Sequence, residues 1–83
     1  MKTFLELQAD ELARARRAHG AIRGPHEGVA VIEEEFLELR AEVFQREPHA
    51  KKLLDELIQV AAMCQRFAED LLLVEPQSPV PGP

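Results

Sequence analysis

The chain contains almost no cysteine and no long hydrophobic run. Cys64 is the single cysteine among 83 residues, so an internal disulfide is excluded and a reducing environment is predicted. No apolar stretch approaches the roughly 18 residues that a membrane-spanning helix requires, and we expect no signal peptide. The sequence therefore predicts a cytoplasmic protein that does not insert into a membrane.

Positive charge is also scarce. The net charge is −5, with 10 lysines and arginines against 15 acidic residues. A nucleic-acid duplex requires an extended basic face, and none is present. One local concentration of basic residues is suited to a small phosphate and consists of Arg14, Arg16, Arg17 and Arg23. Binding to a nucleic-acid polymer is therefore not expected.

The spacing of apolar residues predicts an all-α protein. Apolar positions recur three and four residues apart, and no segment alternates between apolar and polar residues as a half-buried strand does. Thr3 and Glu6 form a capping-box pattern, which places the start of a first helix near Phe4. Gly20 suits the position that ends this helix.

Prolines mark the remaining boundaries. Pro25 suits the first position of a second helix, and Pro48 separates it from a third helix, which we expect to reach about Val74. Residues 75–83 contain four prolines and are predicted to form a mobile tail. Residues 1–74 are therefore predicted to form one all-α domain of three helices.

The second and third helices carry more apolar surface than three short helices can cover. The second helix has a main stripe and a second strip, which are Val29, Ile32, Phe36, Leu39 and Val43, and Ala30, Leu37, Ala41 and Phe44. The stripe of the third helix is Leu53, Leu57, Val60, Cys64, Phe67 and Leu71, beside a polar-leaning face of Lys52, Glu56, Gln59, Met63, Arg66 and Asp70. Self-association buries such stripes. We expect a homodimer or homotetramer that completes a bundle of four or more helices, with Cys64 as an inert buried thiol.

Two polar pairs have helical spacing. Glu35 and Glu38 share a face of the second helix, and Glu56 and Gln59 share a face of the third. Neighbouring like charges repel each other by about 0.2–0.5 kcal/mol on a solvated helix. A bound cation removes this cost, and a ring of oxygen ligands suits Mg²⁺ or Mn²⁺. The alternative is that the glutamates form an ordinary solvated face.

The segment 26–39 resembles the MazG-like nucleotide pyrophosphohydrolases of the all-α NTP pyrophosphatase superfamily. Members carry E-E-x-x-E on one helix and E-x-x-D on the next. Here Glu34-Glu35-x-x-Glu38 matches the first pattern, and Glu56-Leu57-Ile58-Gln59 matches the second except for glutamine in place of the last acid. The stretch 56–71 is also similar to short phage-type or mobile-element members, and the whole resemblance covers about residues 10–72.

The resemblance implies Mg²⁺-dependent hydrolysis of a nucleoside triphosphate to a monophosphate and pyrophosphate, a house-cleaning activity in the nucleotide pool. It assigns Glu35, Glu38 and Glu56 as metal ligands. Glu34 is then a support or a base toward water, so that Glu34, Glu35 and Glu38 form the catalytic group. Gln59 takes the position of a fourth ligand, where its amide oxygen can coordinate but carries no charge and cannot act as a base.

The glutamine at this position leaves the function open. Either the site holds metal less tightly, or a neighbour such as Asp55 or Glu42 compensates. Two alternatives to an active enzyme follow. One is a catalytically weak or inactive MazG-fold module that binds metal or nucleotide. The other is a structural helical oligomer whose glutamates lie on the surface.

Four basic residues are candidates for contacting the substrate, namely Lys52, Arg17, Arg23 and His26. Each has a plainer role as well. Arg17 complements the C-terminal dipole of the first helix, and Lys52 lies one turn before Glu56 and can pair with it. His26 flanks a loop and is expected to be exposed. The sequence leaves both sets of roles open.

Overall fold

The computed structural model describes residues 1–73, and these are folded almost entirely as helix. Three α-helices are followed by one π-helical turn, with bounds α1 Phe4–His19, α2 Pro25–Val43, α3 Ala50–Phe67 and the turn Ala68–Leu72. No strand occurs in residues 1–73, so the prediction of an all-α protein is confirmed. The predicted tail, 75–83, lies outside the described residues. None of the helices in the described part combines the length and apolar character needed to span a bilayer.

The start of α1 follows from local hydrogen bonding. The hydroxyl of Thr3 accepts the backbone N–H of Glu6 at 3.2 Å, and the carboxylate of Glu6 accepts the backbone N–H of Thr3 at 2.9 Å. This capping box satisfies two donors that a helix start leaves without partners. Gly20 ends the helix with a φ of 72°, a conformation that glycine adopts without strain. Pro25 is the first residue of α2, so all three predicted boundaries are confirmed.

The end of α3 differs from its expected form. The α-helix stops at Phe67, and the chain continues as a π-helical turn closed by a 2.9 Å bond from the N–H of Leu73 to the carbonyl of Ala68. Within this turn, Asp70 accepts Nη2 of Arg16 at 2.9 Å and the backbone N–H of Ile22 at 2.8 Å. These bonds join the end of α3 to α1 and to the loop that follows it. The wider turn therefore lies where the α1–α2 loop is anchored.

The helix α3 is the centre of the fold. It packs against both α1 and α2, whereas α1 and α2 touch each other little. The main buried cluster is small and consists of Leu12, Ala15, Ala62 and Met63, with Val31 and Ile32 packed against it. Ile22, Ile58 and Leu71 are buried as well. Because α1 and α2 lie on two sides of α3, a cleft remains between them. Residues from all three helices line this cleft.

Part of the apolar stripes predicted for α2 and α3 is uncovered. We call this part the outer face, and its members are Val29, Phe36, Val43, Leu57 and Cys64. Other members of the stripes are covered, since Leu71 is buried and Ile32 packs against the core. The prediction that Cys64 is a buried thiol is therefore wrong. In contrast, Met63 and Arg66 of the predicted polar face are buried. The reason is that α1 packs on the side of α3 that carries Ala62, which leaves Cys64 facing away from the core.

Replacing Gly28 with alanine is expected to destabilise the protein. Gly28 is buried, and an added Cβ would lie 2.8 Å from Cγ of Phe67 and closer still to two other ring atoms. Overpacking costs about 1–3 kcal/mol, against a gain of about 1 kcal/mol in helix propensity. We expect a net loss of about 1 kcal/mol and a lower Tm in thermal denaturation. Combining Gly28→Ala with Phe67→Leu should recover part of the loss. An unchanged Tm in the single variant would contradict the close contact.

Candidate metal centre

Three glutamates from two helices converge at the α2–α3 contact. Glu35 and Glu38 lie one turn apart on α2, and Glu56 lies opposite them on α3. One carboxylate oxygen from each residue lies within 4.8 Å of the others. The i, i+3 spacing on α2 brings two of these groups to one face. The antiparallel neighbour supplies the third, so the cluster depends on tertiary packing as well as on local sequence.

The cluster is only partly open to water. Glu35 and Glu56 are half-buried and Glu38 is exposed. In the part of the chain that the structure describes, the Oε2 atoms of Glu35 and Glu56 are enclosed and have no hydrogen-bond partner. A carboxylate oxygen in this situation is unfavourable unless a proton or a cation compensates it. Each of the two oxygens therefore favours the binding of either a proton or a cation.

Burial and charge repulsion raise the pKa values of two glutamates in the cluster, Glu35 and Glu56. Burial, followed by the charges of Glu38, Glu56 and Glu34, raises the pKa of Glu35 to about 7. Burial and the charge of Glu38 also raise the pKa of Glu56, and the nearby Lys52 opposes this effect. A carboxyl group with a pKa near 7 carries a proton for about half the time at neutral pH. Without a bound cation, the site therefore holds less negative charge than three free glutamates.

The donor set fits a hard divalent cation. Mg²⁺ accepts carboxylate oxygens at about 2.0–2.1 Å in octahedral geometry, so adjacent ligand oxygens lie about 2.9 Å apart and opposite ones about 4.2 Å apart. The three oxygens lie within 4.8 Å of one another, so the side chains would have to rotate toward a common centre to bind one ion. Water completes the coordination of Mg²⁺ in many protein sites. Glu35, Glu38 and Glu56 are therefore the residues that would hold a metal here.

The remaining residues proposed for the metal and for catalysis lie nearby but outside this group. Glu34 is exposed and lines the α1–α2 cleft together with Glu35. Gln59 lines a second groove, between α1 and α3, whose other members include Asp55. The two acids considered as compensating ligands are engaged by lysines. Asp55 pairs with Lys51 at 2.9 Å and Glu42 with Lys52 at 3.5 Å.

The four candidate substrate contacts lie at different places. Lys52 pairs with Glu42 rather than with Glu56, and it shares a shallow pocket with Glu38 and Glu56. Arg17 lines the groove between α1 and α3. Arg23 is exposed and pairs with Glu27 at 3.2 Å. His26 is exposed at the start of α2. Of the four, only Lys52 is placed beside the carboxylate cluster, and substrate binding by the other three stays a prediction.

Two further arginines lie near the cluster: Arg14, which belongs to the basic group suited to a small phosphate, and Arg66, which the sequence did not indicate as a site residue. Arg14 is held by Glu11, which raises the pKa of its guanidinium, and the charge of Glu35 adds to this effect. Arg66 is buried at 2% exposure and lines the same cleft as Glu35. The only signal in the sequence for Arg66 is a charged residue set among Ala62, Met63 and Phe67. Such an arginine is normally assigned to the surface.

Comparison with known proteins does not assign this site. No protein-family model matches the chain, and neither a curated protein nor a solved structure is similar to it. The functional argument therefore depends on the geometry of the three carboxylates and of the surfaces around them.

Replacing Gln59 with glutamate tests whether this position belongs to the metal site. If it does, an added negative charge near Glu56 should make the metal-free protein less stable and should tighten Mg²⁺ binding. If metal affinity limits hydrolysis, the variant should hydrolyse nucleotide faster than the natural chain at low Mg²⁺ concentration. Thermal denaturation with and without MgCl₂ measures both changes, with the natural chain as the reference. A Mg²⁺ response equal to that of the natural chain would place Gln59 outside the site.

Proposed function

We propose that the chain is a Mg²⁺-dependent nucleoside triphosphate pyrophosphohydrolase that contributes to house-cleaning of the nucleotide pool. The observation that carries the proposal is the convergence of Glu35, Glu38 and Glu56, each with an oxygen within 4.8 Å of the others. The resemblance of the E-E-x-x-E and E-x-x-Q segments to MazG-like enzymes supports the same assignment. The two enclosed oxygens without partners supply the reason for a cation to bind.

In the proposed reaction, water cleaves the bond between the α- and β-phosphoryl groups and releases pyrophosphate. When bound, Mg²⁺ neutralises the phosphates and lowers the pKa of bound water. Glu35, Glu38 and Glu56 hold the ion, and Glu34, beside Glu35 on α2, accepts the proton that water loses. Lys52 shares a pocket with Glu38 and Glu56, which supports a role for its ammonium group in contacting the released phosphates.

A metal- or nucleotide-binding module with little turnover is the second candidate. The feature that favours it is Gln59, which takes the position of an acidic ligand in the resemblance but carries no charge. A module of this kind responds to Mg²⁺ and binds nucleotide without releasing pyrophosphate. A purely structural oligomer, the third candidate, shows neither response.

Two measurements separate the three candidates. The first is thermal denaturation during a MgCl₂ titration, because a ligand at about 100 times its Kd stabilises the folded state by about 2.7 kcal/mol. The second is pyrophosphate release from a panel of canonical and modified nucleoside triphosphates, with EDTA as the metal-free control. We expect a rise in Tm with Mg²⁺ and release that EDTA abolishes. A Tm independent of Mg²⁺ and an inactive panel would leave only the structural role.

The proposed active form is a homodimer or homotetramer. The outer face exposes Val29 at 58%, Phe36 at 49% and Leu57 at 46%, on two adjacent helices. A stable interface buries about 800 Å² on each partner. The exposed apolar residues of α2 and α3 would contribute to this interface, and joining two such hairpins would complete a four-helix bundle. In a dimer with two-fold symmetry, the outer faces of the two copies would pack against each other.

Replacing Cys64 with arginine is expected to convert the oligomer to a monomer. Cys64 is exposed on the outer face, and a buried guanidinium without a partner opposes association. Light scattering at micromolar concentration should give a dimer or tetramer for the natural chain and a monomer for the variant. Leu5→Arg changes an exposed leucine on α1 and should leave the oligomer intact. A natural chain that is monomeric would contradict this proposal.

A further inference from the structure

The cleft between α1 and α2 is a cavity of about 290 Å³ that reaches the carboxylate cluster. Its apolar lining includes Ala15, Val31 and Met63, and Glu35 of the cluster forms part of one wall. Seven of the ten lining residues are charged or polar, so the cavity is a concave site with many hydrogen-bonding groups and a small apolar patch. It lies next to the residues that would hold a metal.

The charge of the lining disfavours a phosphate in this cavity. Two arginines, Arg14 and Arg66, stand against four glutamates, so the formal charge of the lining is −2 with histidine neutral. Glu11 also engages the guanidinium of Arg14 through two hydrogen bonds. An anion gains no net attraction from such a surface. A neutral group with both donors and acceptors on its edge is the better occupant.

Arg66 supplies donors that the protein itself does not use fully. Its Nη2 donates to the carbonyl of Gly20 at 2.9 Å, while Nη1 has only a 3.7 Å contact with the sulfur of Met63. Its Nε–H has no partner among residues 1–73, although the side chain is 2% exposed. Buried donors normally have acceptors. Because Arg66 lines the cavity, an occupant with two adjacent acceptors would supply the partners that this guanidinium lacks.

We propose that the cleft binds the guanine base of a nucleotide substrate, with Arg66 as the residue that reads it. The proposal rests on the proposed function, since the triphosphate of the same molecule extends to Glu35, Glu38 and Glu56. Arginine pairs with the O6 and N7 acceptors of guanine. Adenine presents an amino donor beside N7, so it faces the donors of Arg66 unfavourably.

Binding of nucleosides tests the base site without metal and without turnover. The full ¹⁵N-labelled chain is titrated with guanosine, adenosine, cytidine and 7-deazaguanosine, and the Nε–H resonance of Arg66 is followed by NMR. Guanosine should move this resonance and bind about tenfold more tightly than adenosine. The 7-deaza analogue lacks the N7 acceptor and should lose most of this advantage, which tests the contact without changing the protein.

Protein variants provide the matched comparison. Arg66→Lys keeps the charge but loses the planar pair of donors, so the preference for guanosine should disappear. Arg16→Lys serves as the control because Arg16 also anchors the end of the fold, through Asp70 and Glu69, but lies outside the cavity. The control should keep the preference. If Arg66→Lys does not fold, the comparison of guanosine with 7-deazaguanosine decides the question.

The outcomes separate the base site from the proposed enzymatic function. A guanosine preference that depends on N7 supports the base site even if no nucleoside triphosphate is hydrolysed, in which case only the proposed function fails. Equal binding of guanosine and adenosine, tighter binding of cytidine, or an Arg66 resonance that no nucleoside moves would overturn the base site. Metal-dependent hydrolysis found together with those results would leave the enzymatic proposal standing.

Discussion

Replacing Glu56 with glutamine is expected to abolish the stabilising response to Mg²⁺ and to reduce hydrolysis at least about 100-fold. Loss of groups that merely support metal ligands costs about 10–100-fold in affinity or activity, and Glu56 is one of only three carboxylates in the cluster. The change keeps the shape of the side chain and removes its charge. A Mg²⁺ titration followed by thermal denaturation, together with pyrophosphate release, measures both effects.

The same variant should be as stable as the natural chain, or more stable, when no metal is present. Burial and the charge of Glu38 raise the pKa of Glu56, so the ionised form is unfavourable in the folded protein and glutamine relieves that cost. Glu33→Gln is the matched control, because Glu33 is exposed on α2 and lies outside the cluster. It should keep the Mg²⁺ response. An intact response in Glu56→Gln would show that the glutamates are ordinary surface charges.

The metal-free protein is expected to lose stability as the pH rises from about 5 to above 7. The pKa of Glu35 is raised from 4.5 to about 7 in the folded state, so the folded state binds more protons than the unfolded state within this window. Stability therefore falls with increasing pH. The contribution of protonated Glu35 is fully present only below the ordinary glutamate pKa of 4.5. Because the carboxyl is partly exposed and water screens it, we expect a loss of about 1–2 kcal/mol.

Urea denaturation at a series of pH values, in EDTA and in saturating MgCl₂, measures this dependence. Magnesium should remove the loss above pH 7, since the ion replaces the proton as the compensating charge. Glu35→Gln should flatten the profile in EDTA. At lower pH a separate effect of opposite sign operates, because hydrogen bonds from Thr3 and Gln65 lower the pKa values of Glu6 and Glu69. A metal-free profile that rises between pH 5 and 7 would contradict the prediction for Glu35.

Local features of the fold could be predicted from sequence because they depend on residues close together in the chain. Thr3 and Glu6 form their capping box within one turn. Pro25 begins α2 because its ring fixes φ at a value that suits the first turn of a helix. The shared face of Glu35 and Glu38 also follows from helical periodicity alone. The approach of Glu56 to them depends on how two helices pack, and for this the sequence offered only the resemblance to a family.

The inward and outward faces of α3 could not be predicted in the same way. Periodicity identifies which residues share a face, but it does not decide which face another helix covers. The burial of Met63 and Arg66 and the exposure of Cys64 follow from where α1 packs. The buried guanidinium was missed for a further reason. Its partner, the carbonyl of Gly20, is a backbone atom 46 residues away, and side-chain patterns contain no record of such an acceptor.

The lack of a side chain at Gly28 lets α2 approach the ring of Phe67 on α3 closely. Gly28 lies seven residues before Glu35, which is two helical turns or about 10.5 Å along α2. A small change in helix separation at this contact is therefore transmitted to the opposite carboxylates as a change in their span. Substitutions at Gly28 should weaken metal affinity even where the protein stays folded. The glycine at position 28 thus allows the helix separation on which the distance between the carboxylates of α2 and α3 depends.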